Sequence, residues 1–149
     1  MGAAFVLTLS FKPLPLWDRF IFGGVEFFTT QKTKFFFQIF TEIIRSYGVL
    51  LNDIGRQVRR ASVSIEKISN KEIMQFVLFE GALNDFLAAL APTNIFLNNF
   101  LSGKFFPLYE KDKDIMEDIF LSSGQLIESC KSHLNTIVNI RQAYSSIMT

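Results

Sequence analysis

Five carboxylates crowd one short stretch of this sequence: Glu110, Asp112, Asp114, Glu117 and Asp118. Hard divalent cations take oxygen ligands, and magnesium keeps several waters while leaning on one or two carboxylates, so the chemistry such a run offers is cation binding. Acidic residues also suit the first turns of a helix, where the dipole favours negative charge and the side chains stay solvated. Cys130 and His133 stand three apart and would share a helix face, but two ligands fall short of the usual four-ligand zinc site, so core packing is the expectation for both. No Ser, Cys or carboxylate motif beside His133 specifies a catalytic base, and the chain has neither a phosphate-binding Gly loop nor a metal-hydrolase helix motif, so no enzyme is expected. Arg59-Arg60-Ala61-Ser62-Val63 resembles a basophilic-kinase site, and we read the match as chance.

These residues must be carried by helices. From Tyr109 to Thr149 an apolar heptad runs without a Pro: Ile119, Leu126, His133, Ile140 and Ile147 on one line, Met116, Cys130, Ile137 and Tyr144 beside it, Ser123 the polar member. A second line, Phe120, Ile127, Leu134 and Met148, widens the stripe, so this helix wants neighbours on two sides. About 38 helical residues reach roughly 57 Å, which makes the segment a stalk. Phe36, Phe40, Ile43, Tyr47, Leu50, Ile54, Val58, Ala61, Ile65 and Ile68 give a second long helix, with Arg45, Arg56, Arg59, Arg60 and Lys67 opposite. Gly48 and Gly55 interrupt it, and a neighbour packed close to the backbone is expected there. Ser69-Asn70-Lys71-Glu72 is a capping box that starts a third helix, whose Met74, Val77, Leu78, Phe86, Leu87 and Leu90 should face the second helix. Pro92 predicts a kink or break over 90–93, and Ser102-Gly103 a stop, with Pro107 opening the stalk.

Before the helices, Ala4 to Leu9 is apolar and β-branched and ends ahead of Pro13 and Pro15, which reads as one buried strand. A lone strand is no sheet, so it pairs with another chain or closes a domain whose earlier part is missing, and the second is favoured. Trp17 to Lys34, with Gly23 and Gly24, reads as an irregular aromatic connection. The segment 86–103 is uncharged but holds Pro92, Asn94, Asn98 and Asn99, amides that lipid would not tolerate, so it is expected to be a buried helix and not a membrane span. Fifteen basic and fourteen acidic residues leave a net charge of +1, which argues against nucleic-acid binding. The single cysteine allows no internal disulfide, and a reduced, cytoplasmic setting fits.

The sequence resembles the cytoplasmic part of the CorA-type magnesium and cobalt transporter family. The resemblance is carried by Ile68-Ser69-Asn70-Lys71-Glu72-Ile73, Leu101-Ser102-Gly103-Lys104, Leu108 to Asp118, Gln125-Leu126-Ile127-Glu128 and Tyr144 to Thr149, with Phe5 to Thr8, Pro13-Leu14-Pro15 and Asp18-Arg19 looking like the family's last N-terminal strand and its exit. It implies a mainly α fold: a long antiparallel helical hairpin packed beside a long stalk helix, with one N-terminal β-strand left from an α/β domain. The implied divisions are 1–34 for the end of that domain, 35–106 for the hairpin and 107–149 for the stalk, stopping before the first transmembrane helix. No Gly-Met-Asn signature is present. The function implied is that of a regulatory and assembly fragment of a divalent cation channel on the cytoplasmic side of the cell membrane. Such a fragment would not transport by itself, and would meet the membrane only through helices it lacks. The family assembles as a homopentamer and handles Mg²⁺, with Co²⁺ or Ni²⁺ as further cargoes. Asp118 coincides with the family's stalk carboxylate for a regulatory cation shared between subunits, with Asp114 and Glu117 as secondary candidates. Where the family commonly places an Asp ring lower on the stalk, this chain has Gln142. The alternative is a free-standing helical coiled-coil protein that binds a partner with the same surfaces.

Overall fold

The computed structural model describes residues 5–105 and 108–149. Among the described residues four α-helices follow one another, α1 Leu16–Ile21, α2 Lys32–Val63, α3 Asn70–Leu101 and α4 Glu110–Met148, with one 3-10 turn, Ile65–Lys67, between α2 and α3. The mainly α expectation holds.

Each long helix owes its place to a line of apolar residues recurring every seventh position. On α2 the buried line is Phe37, Ile44, Leu51 and Val58; on α3 it is Phe76, Leu83, Leu90 and Leu97; on α4 it is Met116, Ser123, Cys130 and Ile137. A seven-residue repeat keeps one seam of each helix facing its neighbours, and the three seams close on a common core. Leu126 of α4 stands beside Gly48 of α2 and His133 beside Gly55, so these two helices run parallel in a constant register. Asn94 of α3 meets Gly124, and Glu80 of α3 pairs with Arg141, so α3 runs antiparallel to α4. That register brings Ile44, Leu97 and Ser123 to about one height, then Leu51, Leu90 and Cys130, then Val58, Leu83 and Ile137.

Helix α4 packs along both α2 and α3, whereas α2 and α3 touch each other little. Large rings bridge the gap: Phe37 to Phe100 at 5.9 Å between centroids, Phe40 to Phe96 at 6.1 Å and Tyr47 to Phe86 at 5.0 Å. Small residues on α4, Ser123, Gly124 and Cys130, let both partners come near its backbone. The expected need of this helix for neighbours on two sides is met, but it is the middle of a bundle. Its 39 residues span about 58 Å against about 48 Å for α2 and α3, so its last turns reach past α2; the 3-10 turn packs against α4, but the final residues Ser145 to Thr149 are exposed, Ile147 and Met148 of the expected stripes among them.

Several expectations are corrected. No strand occurs among the described residues: Phe5 to Leu9 has no regular secondary structure and, far from buried, is mostly exposed, and a lone segment makes no sheet; Ala4, like Pro107, lies outside the described residues. The connection holds a helix, α1. Helix α3 runs unbroken through Pro92, which sits on the exposed side where the freed Ala88 carbonyl can meet water, while Thr93 Oγ1 donates to the Ala89 carbonyl at 2.7 Å. Met74, Val77 and Leu78 do not face α2; they are 66%, 43% and 66% exposed on the outer side of α3. Leu50 is likewise exposed, since the buried line of α2 passes through Leu51. The capping box forms as expected, with Glu72 N–H donating to Ser69 Oγ at 3.3 Å and Ser69 N–H to Glu72 Oε2 at 2.8 Å, which holds the Glu72 carboxyl below its ordinary range. Gly103, at φ +74°, ends α3 in the left-handed region that suits Gly.

Candidate functional site

The acidic run lies where the sequence puts it. Glu110 and Asp112 occupy the first turn of α4, and Glu110, Asp114, Glu117 and Asp118 are exposed. Because α4 turns by about 100° per residue, these carboxylates fan around the helix, and no three His, Cys, Asp or Glu side chains gather as a metal site among the described residues.

Asp118 is set apart by what it faces. It lines an open groove of about 530 Å³ between the parallel helices α2 and α4, opposite Thr41, Arg45, Gly48 and Asn52 of α2, with Ser122, Gln125 and Ser129 following on α4. Asp114 and Glu117 do not line that groove. The groove is wide because its walls are small: Gly48 on one side, Ser122 and Ser129 on the other. Arg45 supplies the only basic side chain in its lining and also bonds Glu42 Oε2 at 3.0 Å. One carboxylate facing one guanidinium makes a poor cation cage within a single chain, and an open surface for charges brought by another.

Sequence reasoning passed over the Glu42 centre. Glu42 is buried, and its Oε2 takes Arg19 from α1 at 3.2 Å as well as Arg45. Arg19 also donates to the Gly24 carbonyl at 3.2 Å, which folds the aromatic connection against α2. The signal was there in an acid between Ile39 and Ile44 on an otherwise apolar side of the helix.

Cys130 is fully buried, and burial pushes its thiol above the ordinary value. His133 is half-buried with its ring over Gly55, and both act as packing groups. Ser62 is exposed at the end of α2 and donates to the Arg59 carbonyl at 2.8 Å. Gln142 lies with Val138, Arg141 and Ser145 beside a shallow hollow of about 330 Å³ on α4. By length and composition α3 could cross a membrane, but it also carries the bundle's core on Phe76, Phe79, Leu83, Leu90, Leu97 and Phe100.

No protein-family model, curated protein or solved structure matches the chain.

Proposed function

We propose that this chain is a regulatory and assembly unit of a CorA-like divalent cation channel, working on the cytoplasmic side of the membrane, with α4 as its stalk. The reading rests on the sequence resemblance and on one observation: Asp118 stands exposed on the open α2–α4 groove, with no second carboxylate in the lining among the described residues. A carboxylate so placed serves a site completed by a neighbouring subunit. Mg²⁺ entering between facing subunits, with Co²⁺ or Ni²⁺ as alternatives, would hold neighbouring stalks together by RT ln(1 + [L]/Kd), and a family-like assembly would be a pentamer. Asp114 and Glu117, on the exposed faces next to Asp118, belong to the outer approach of such a site.

Sedimentation with and without millimolar magnesium tests it. Wild type should self-associate more strongly with magnesium; Asp118→Asn should lose that gain while keeping its fold, since an exposed Asp→Asn change alters stability by no more than about 0.5 kcal/mol. Equal association of both proteins in both conditions would remove Asp118 from the proposal.

The second reading, a helical interaction protein without a metal, is favoured by the outer face of α3. There Met74 and Leu78, one turn apart, are each 66% exposed, a small apolar patch that the bundle leaves uncovered, with Val77 beside them 43% exposed. Magnesium-independent association abolished by Met74→Glu with Leu78→Glu, and untouched by Asp118→Asn, is the result that reading expects.

A further inference from the structure

An imidazole of α4 sits directly against the backbone of α2 at Gly55. A Cβ built on Gly55 of α2 would lie 2.8 Å from both Cε1 and Nε2 of His133 on α4, and 3.2 Å from Nη1 of Arg59. Both nitrogens lie near one point, so a protonated ring would hold its charge no more than about 6 Å from the guanidinium. The Leu51 backbone works the other way, favouring the protonated ring, but less strongly than burial and Arg59 disfavour it.

The charges around it do not compensate. From α2 it faces Arg59, while Asp53 and Arg56 of the same helix pair with each other at 2.9 Å. On α4 its neighbour one turn back is Cys130, a neutral thiol. The register brings α3 past this height at Asp85, which is exposed. We infer that His133 is an acid-sensitive latch between α2 and α4: neutral, it fills the seat over Gly55; protonated, it is repelled by Arg59 and parts the two helices along the groove. Burial first, and Arg59 second, hold its pKa below the ordinary 6.5, so protonation and departure from the seat are coupled. Whatever partner the α2–α4 groove takes, its walls then move with pH.

Because the chain has one histidine, the test is clean. The imidazole C2–H resonance of the whole chain should titrate below 6.5, and in Arg59→Gln it should move back toward that value. Amide protection factors, corrected for intrinsic exchange, should fall on going from about pH 7.5 to pH 5.5 at least tenfold more in α2 around 51–59 than in α3 around 76–90. His133→Gln should remove that difference; Arg59→Gln should lessen it and serves if the first variant folds poorly. An imidazole titrating at or above 6.5, or an equal loss of protection in the two helices, overturns the latch.

Discussion

Arg19 of α1 reaches the carboxylate of Glu42 on α2 at 3.2 Å, and that carboxylate is 7% exposed while the guanidinium is 36% exposed. The buried partner therefore matters more than the wet one. Removing Arg19 leaves Glu42 with Arg45 at 3.0 Å, whereas removing Glu42 releases two cations at once. Breaking a fully buried pair costs about 3–5 kcal/mol, and discounting for the half-exposed arginines leaves about 1–3 kcal/mol for Glu42→Ala. Urea titration should show that loss, with Arg19→Ala losing less, and limited proteolysis should cut earlier within 12–31 in the Glu42 variant.

Gly55 and Gly48 predict opposite outcomes. A methyl at Gly55 runs into the His133 ring at 2.8 Å, so Gly55→Ala should destabilise by about 1–3 kcal/mol, and adding His133→Ala should recover part of it. A methyl at Gly48 meets Leu126 Cδ2 at 3.8 Å, an ordinary contact, so Gly48→Ala should gain up to about 1 kcal/mol of helix propensity. Thermal melts of the four proteins decide between these signs.

Ser123 is wholly buried on the core line of α4, and its Oγ finds no partner among the described residues. An unsatisfied hydroxyl in an apolar layer costs free energy that a methyl does not, so Ser123→Ala should raise stability by about 1 kcal/mol. A fall in the denaturation midpoint would show that the hydroxyl is bonded after all.

Cys130 gives an alkaline counterpart to the histidine. Its thiol is held above 9.0 by burial, so the unfolded chain releases the proton first as pH rises. Stability is complete below pH 9.0 and declines as pH climbs from there toward the folded value. Iodoacetamide at pH 8 should leave the native chain unmodified and label it fully in urea, and Cys130→Ser should flatten the alkaline decline.

Periodicity made much of this architecture legible before any coordinates. The α4 stripe as far as Tyr144, the capping box at Ser69 and the stop at Gly103 stand where local chemistry puts them, because each is decided within one or two turns of chain, whereas Ile147 and Met148 continue the stripe in sequence but are exposed. What sequence could not decide is which face meets which helix. Leu50 and Leu51 are both apolar, and only the register against α4 buries the second; Met74, Val77 and Leu78 fit an inward stripe as well as Phe76 and Phe79 do. Pro92 misled for the same reason, since a proline breaks a helix only if the carbonyl it frees has nowhere to go. Asp118 was legible as an exposed acid, whereas its groove is made by Gly48, Ser122 and Ser129, residues too small to signal anything alone.

Because α2 and α3 meet through rings and not along their backbones, the hairpin that leaves the ribosome first has no seam of its own to close. Its heptads wait for a helix not yet synthesised. At 5–20 residues per second, the 39 residues of α4 take about 2–8 s to make, and through that time Leu51, Leu83, Leu90 and Leu97 lack the surface that will bury them. The nascent chain should therefore bind holding chaperones until Ile137 emerges, and a premature stop in α4 before Ile137 should yield a product that is degraded or aggregates.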